Sequence, residues 1–532
     1  MKMKSPPTAG PKGSRTRNYA KGLVTGYAAT LATILVGLWL IPFTLRFLDR
    51  EEFAVFTLAS DLLMWLGLLD LGITAGLNVQ AAQLSGRPDR ERLNRLASTA
   101  FFTQNLIVLV VLVVGVAMAV GFPHFFPIRQ DLQRTTSVFV AMLVAASAIG
   151  FSTKTFSALL VANQQIHVDN LLRLALLAIR TFLTVVLLKK GWGLYSLAAA
   201  NLAATLITSM MAVWRTYRLL PGLQIRWVLS SWDVLKSLGS LGIWFSLGGL
   251  AGIVITSLDR VVAAKLISVE TVTTLSLTGR VYALFAGLLD QITNTARPML
   301  GQMLGQQKIA EAHRVYRHLF RLSTGFAVIA AFSLWAGNEP FVIRWVGAQN
   351  FGGSMLSVAL ALNLIVNSWV LPNRAVLSSA LVARPQTLSR IVEAVINLGL
   401  SVLLGHYIGL IGIILGTAIA GILTSTWYLP LLTARLFGRS GFKFMREDAL
   451  PILAVGACIL PVAWLMQLAG KHIGGFLGAG VASGLTGLAG FGLVWWIALD
   501  RRFRDSVKAA VIAAAHRYWG SNSRLWSRSE IT

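Results

Sequence analysis

The sequence predicts an all-α membrane protein that crosses the bilayer about fourteen times, as two six-helix repeats followed by two further helices. Three observations lead there. The 532-residue chain is 55% hydrophobic and only 13% charged, and its mean hydropathy is +0.67. Apolar runs of about 18 to 25 residues follow one another almost from end to end, each long enough to cross the hydrocarbon core as a helix. No sustained two-residue alternation runs through them; backbone groups in lipid need internal partners, so helices are favoured over a barrel. Finally, matched segments recur at a nearly constant offset.

The runs place spans at 22–42, 53–80, 97–121, 136–162, 171–188, 191–214, 240–264, 271–303, 322–337, 354–381, 388–404, 408–432, 450–470 and 475–499. A basic, Pro/Gly-rich tail (1–21) precedes the first run, which is too long for a signal-peptide core and is expected to stay as a span. The tetrapeptide GLLD occurs at Gly67–Asp70 and again at Gly287–Asp290. The segment at Leu160–Gln165 matches Leu381–Gln386, Gly193-Leu194 matches Gly409-Leu410, and Thr208-Ser209 matches Thr424-Ser425. A basic stretch follows each GLLD: Arg87, Arg90, Arg92 and Arg95, then Lys308, Arg314, Arg317 and Arg321.

Residues 22–214 and 240–432 therefore read as two six-helix lobes of parallel topology, joined by a cytoplasmic linker at 215–239. Such repeats are a known transporter plan, with the substrate path between the halves. Helices 13–14 (450–499) lie outside the repeat. Their small residues, GGFLGAGVASGLTGLAG at 474–490, favour close helix packing.

The net charge of +26 raises nucleic acid as a partner. Its distribution argues against that. With a cytoplasmic N-terminus, 30 of the 47 Lys and Arg fall in inner segments and 9 in outer loops. That bias follows the positive-inside rule, puts both ends in the cytoplasm of a multi-pass inner-membrane protein, and leaves no call for nucleic acid. The basic tail at 500–532, with Trp519 and Trp526, is expected to lie on anionic lipid.

Catalytic and metal-binding patterns are missing from the sequence. It has no HExxH, GxSxG, Walker-type glycine loop or Asp-x-Asp, and its one cysteine, Cys458, excludes an intrachain disulfide. The expectation is a non-enzyme with no cofactor and no metal site. Without a nucleotide-binding domain, the energy source is expected to be an H+ or Na+ gradient or the substrate gradient itself.

Ionisable groups inside spans are costly and mark functional candidates. Lys154 and Arg180 lie roughly 12–14 Å deep by helical rise, and neither has an acid one turn away in sequence. They suit either a buried diphosphate or a pairing with Asp70. Arg374 falls within one residue of the repeat equivalent of Lys154. Asp290, Asn294 and Arg297 share one helix face; Asp70 and Thr74 share another, with Asp61 turned about 180° away. Diphosphate-binding candidates are thus Lys154, Arg180, Arg297 and Arg374, and candidates for ion coupling or charge pairing are Asp70, Asp290, Asp61 and Glu393. Asp259 and Arg280 are the expected partners of each other. Arg260, Arg173 and Arg390 are expected to snorkel to water.

The stretch GLWLIPFTLRFLDREEFAVFTLASDLLMWLGLLDLGITAGL (37–77) resembles the opening of Wzx-type polysaccharide flippases, of the MATE-like multidrug/oligosaccharidyl-lipid/polysaccharide exporter superfamily. FVIRWVGAQNFGG (341–353) resembles that family's outer segment after span 9, and ALLVANQQ (158–165) its span-4 exit. Where such proteins often carry glycine after the first acidic outer loop, this chain has Ala54. The resemblance implies a V of two lobes and a lipid-linked oligosaccharide substrate on undecaprenyl diphosphate. That substrate would cross the cytoplasmic membrane for O-antigen or exopolysaccharide assembly, alongside polymerase and export machinery. Two other classes remain open: an ion-coupled multidrug or metabolite antiporter of the same fold, and a membrane sugar polymerase or ligase. Acids lining the cavity would favour the antiporter; a large outer domain would favour the polymerase.

Overall fold

The computed structural model describes residues 12–70, 72–84, 89–163, 165–240, 243–441, 445–499 and 504–505, and within these every regular element is helical. The order is α1 (Lys12–Thr44), α2 (Arg50–Leu66), α3 (Ile73–Leu84), α4 (Arg90–Phe125), α5 (Gln130–Ala162), α6 (Ile166–Lys189), α7 (Tyr195–Leu219), α8 (Trp232–Ser240) and α9 (Ile243–Leu266). Then come α10 (Val269–Thr278), α11 (Arg280–Gly305), α12 (Ile309–Val346), α13 (Ser354–Ser379), α14 (Ala383–Leu423), α15 (Ser425–Leu436), α16 (Leu450–Ile473) and α17 (Gly475–Leu493). Most of the tail expectations, for residues 1–11 and 506–532, lie outside the described residues.

Side chains fix several boundaries. Asp49 accepts the Glu52 amide at 2.8 Å while the Glu52 carboxylate accepts the Asp49 amide at 2.9 Å, a reciprocal cap that starts α2. Arg129, in the turn before α5, donates to Asp49 at 2.6 Å and lies 2.9 Å from Glu51. Asp49, with Glu51 and Asp131, holds the Arg129 guanidinium pKa above its usual value.

Ten helices among the described residues are long and apolar enough to cross a membrane, or eleven if α10 and α11 form one interrupted span. The expected spans do not each map onto one continuous helix, for identifiable reasons. The stretch Ala383–Leu436 is 54 residues long, roughly 80 Å as one helix, far beyond a single crossing. It reverses at Ile408 and Gly409, where the backbone leaves helical geometry. The second expected span is broken: α2 stops at Leu66, Gly67–Asp70 form a 3-10 turn, and Gly72 takes a positive φ of 79° before α3. The second GLLD copy lies inside unbroken α11. The repeated tetrapeptide thus adopts two backbones.

By internal packing the chain divides into two units, one comprising everything up to Leu277 plus Ala383–Ala420, the other Thr278–Val382 plus the chain from Gly421. In the first, α4 packs on α5, α5 on α7, α6 on α1 and α7, and α2 on α9. Leu58, Phe139, Leu188 and Leu194 are fully enclosed in its core. In the second, α12 packs against α13, α16 and α17, around Tyr316, Phe320, Trp369 and Ile459.

Small residues serve the packing of α17. A methyl group added at Gly337 would lie 2.0 Å from Ser483 Oγ, and one at Gly490 would lie 2.6 Å from Ile459. The basic stretch 308–321, expected as a loop, is instead mostly the start of α12. Arg321 is buried there and donates to Asp448 at 3.0 Å and to the Glu447 carbonyl at 2.7 Å.

Candidate functional site

In the first unit, the 3-10 turn after α2 points Asp70 at α4 and α5. Its carboxylate accepts the Thr74 hydroxyl at 2.6 Å and the Gln104 amide at 3.3 Å. The same amide donates to Thr74 Oγ1 at 2.9 Å, and its carbonyl accepts Thr155 Oγ1 at 2.6 Å. Gln104 and Thr155 are fully buried, so four polar groups in an apolar setting satisfy one another. Lys154, next to Thr155 on α5, is half-buried; its Nζ stands 3.8 Å from the centre of the Phe151 ring and within electrostatic reach of Asp70. Asp70 and Lys154 are therefore brought together. Arg180, half-buried on α6, has no ion-pair or hydrogen-bond partner among the described residues.

Asp61 turns to the other side of α2. There it takes Arg260 of α9 in a two-pronged ion pair, Nη2 donating to Oδ1 at 2.8 Å and Nε to Oδ2. This corrects the expectation that Arg260 snorkels outward. It also leaves Asp259 without Arg280: Asp259 accepts from Thr417 of α14 instead. The partner that Asp61 needs stands on α9, against which α2 packs, so Arg260 reaches an acid more readily than water. Arg390 departs from expectation too. A methyl added at Gly252 would stand 2.0 Å from its guanidinium, so that side chain lies against α9 rather than reaching for the surface. Arg173 is exposed and pairs with Asp169 at 3.0 Å. Glu393 is buried on α14.

In the second unit, Asp290 is exposed on α11 and accepts the Asn294 amide at 2.9 Å. Arg297, two turns on, feels both the attraction of Asp290 and the repulsion of Arg374, and its Nε is buried without a hydrogen-bond partner. Arg374, buried on α13, reaches Ser425 Oγ at 3.4 Å. Arg280 Nε is also buried and unpartnered.

Sequence reasoning missed the neutral participants. Gln104, which with Asn105 forms an adjacent pair of amides inside the third apolar run, was the available signal. Thr155 and Thr417 carried none, because a hydroxyl in a helix usually bonds its own preceding turn. Asp448 was missed as well, since it fell in an expected loop.

This arrangement of long apolar helices bearing internal charges matches solved transporter folds. An inward-facing multidrug resistance MATE family transporter of the MOP superfamily aligns with a TM-score of 0.64 at 16% identity, covering 77% of this chain and 95% of that one. The lipid II flippase MurJ in an inward closed conformation aligns with a TM-score of 0.64 at 15% identity, covering 89% and 99%. The class is thus a multi-pass membrane protein with the MATE-like fold. More narrowly, the chain belongs to the polysaccharide biosynthesis protein family, whose model matches residues 45–351. Among curated proteins it is 21% identical over 441 residues to the uncharacterized membrane protein EpsK of Bacillus subtilis (strain 168), covering 80% of this chain and 85% of EpsK.

Proposed function

We propose that the chain is a flippase that moves an oligosaccharide carried on undecaprenyl diphosphate across the cytoplasmic membrane by alternating access, for O-antigen or exopolysaccharide assembly. One observation carries the choice of an anionic substrate: bases inside spans whose charge the protein answers only in part or not at all. Arg180 has no partner among the described residues, and Arg297 carries a buried, unpartnered Nε while facing the charge of Arg374. Such groups are costly in a bilayer unless an anion joins them. A diphosphate supplies charge and several acceptors at once, and its lipid tail remains in the bilayer.

In this reading Lys154 and Arg180 are the diphosphate candidates of the first unit, with Asp70 holding Lys154 in place, and Arg297 and Arg374 are separately those of the second. Asp61 belongs to the pair with Arg260 rather than to the substrate. Both termini face the cytoplasm, no chemical step is catalysed, and an H+ or Na+ gradient drives the cycle, with polymerase and export proteins as downstream partners. The family membership and the named function of MurJ, a lipid II flippase, support a lipid-linked substrate. The fold is shared with multidrug transporters and does not itself choose between them.

The test is reconstitution. Proteoliposomes carrying the full chain should flip a fluorescent undecaprenyl-diphosphate oligosaccharide, and Lys154→Ala and Arg180→Ala should abolish flipping while inserting normally. Wild-type flipping in both variants overturns the diphosphate assignment. Transport of organic cations without flipping makes the protein an antiporter.

A further inference from the structure

The end of α4 that carries Arg92 and Arg95 forms one wall of a cleft of about 460 Å³, and α3 and α8 form the others. Gly76 lets α8 lie close on α3: a methyl there would stand 2.5 Å from the Leu238 carbonyl. Polar contacts fix α8 at both ends. The Ser231 amide donates to Thr99 Oγ1 at 3.1 Å, and Gln80 donates to Ser237 Oγ at 3.3 Å.

Charges of both signs line this cleft without answering one another. Arg92, Arg95, Glu91 and Asp233 are all exposed there, and none of the four side chains forms an ion pair or hydrogen bond among the described residues. Glu91 and Arg95 stand at i and i+4, the spacing at which a helical pair readily closes, and still remain apart. The third acid of the cleft, Asp89, is engaged: it accepts the Arg92 amide at 3.0 Å as the cap of α4. Two cations and two anions are thus left to take a partner. An anion alone would meet the carboxylates, and a cation alone would meet the guanidiniums. A ligand carrying both signs satisfies all four. Two guanidiniums suit a phosphate, whose oxygens accept forked N–H pairs, and the carboxylates suit an ammonium with hydrogens to donate.

The depth of the cleft fits a lipid headgroup. Leu106, Leu109, Val113 and Val116 make an exposed apolar stripe along α4. Between that stripe and the cleft stand Trp227 and Trp232, 70% and 66% exposed. Trp227 rests edge-on against Phe102, and Lys236 lies over the Trp232 ring. Exposed tryptophans at the end of a lipid-facing stripe mark the headgroup layer. Arg95 lies two turns before Phe102, roughly 10 Å along α4, and its long stem covers much of that rise.

We propose that the cleft between α3, α4 and α8 binds the headgroup of a primary-amine phospholipid, phosphatidylethanolamine. Arg92 and Arg95 take the phosphate, Glu91 and Asp233 take the ammonium, and the acyl chains lie along the apolar stripe. The site is separate from the charges inside the spans and stands whether or not the chain is a flippase. A bound headgroup braces α8 against α4.

The experiment is native mass spectrometry of the full chain, delipidated in detergent and supplied in turn with phosphatidylethanolamine, phosphatidylcholine and phosphatidylglycerol. One phosphatidylethanolamine per chain is expected to bind at least ~10-fold more tightly than either other lipid. The choline lipid has no ammonium hydrogens and the glycerol lipid has no cation, so each loses half of the recognition. The double variant Arg92→Gln/Arg95→Gln should lose the bound lipid. Glu91→Gln/Asp233→Asn should lose the preference over phosphatidylglycerol, and Lys471→Gln, an exposed cation of the second unit, should leave both unchanged. Equal retention of the three lipids by the wild type, or an unaltered preference in the two double variants, overturns the site. So does binding of soluble glycerophosphoethanolamine as tightly as the lipid, which assigns a water-soluble zwitterion instead. If a double variant fails to accumulate, Arg95→Gln and Asp233→Asn decide singly.

Discussion

Arg260 of α9 and Asp61 of α2, 199 residues apart in sequence, form a two-pronged ion pair whose side chains are 28% and 14% exposed. This pair supplements the packing of α2 on α9, and at the start of α2 Arg50 Nη2 donates to Thr274 Oγ1 at 2.8 Å in the same unit. Removing one member leaves a shielded charge without its partner. Asp61→Ala should lower stability by about 3 kcal/mol, read as a fall in the thermal midpoint in detergent. Replacing both residues by leucine should cost less than Asp61→Ala alone. Additive losses would show that the two side chains act independently.

Gln104 connects Asp70, Thr74 and Thr155 through one amide. Gln104→Leu removes a donor pair and an acceptor from a buried network, at a cost of about 1–3 kcal/mol. Freed from that network, Asp70 should hold Lys154 less precisely. Flipping is therefore expected to fall while insertion persists. Unchanged flipping together with unchanged thermal stability would show the network to be dispensable.

The acid at Asp448 ties the segment before α16 to α12. Arg317 donates to it at 2.6 Å and Arg321 at 3.0 Å, and the Arg321 and Asp448 side chains are 5% and 4% exposed. Asp448→Ala removes the buried carboxylate that two guanidinium groups share, with an expected loss of roughly 3–5 kcal/mol. Hydrogen exchange should rise in α16 and the adjoining end of α12, leaving α4–α7 protected. Uniform loss of protection across the chain would contradict this local role.

At Gly337, α12 meets α17 with no room for a side chain. Gly337→Leu should overpack that contact and cost about 1–3 kcal/mol. Gly287→Ala, where an added methyl meets nothing within 4 Å, should be tolerated. Both can be compared by detergent thermal unfolding. Equal effects would mean that Gly337 is not a glycine for the sake of packing against α17.

The sequence by itself determined the class: long apolar runs can be satisfied in lipid only as helices, so hydropathy alone specified a polytopic bundle. It also pointed to buried charges, since each one is conspicuous against its apolar run. Which charges meet was decided by tertiary structure. The pairing of Arg260 with Asp61 depends on α2 packing on α9, and Asp70 was turned towards Gln104 by a 3-10 break that its identical twin in α11 lacks. The contact of Asp259 with Thr417 lies on a stretch that reverses at Gly409, and its neutral hydroxyl partner leaves no trace in hydropathy. Periodicity is a property of neighbours along one helix. Charge compensation is a property of neighbours across several, and only the fold assigns those.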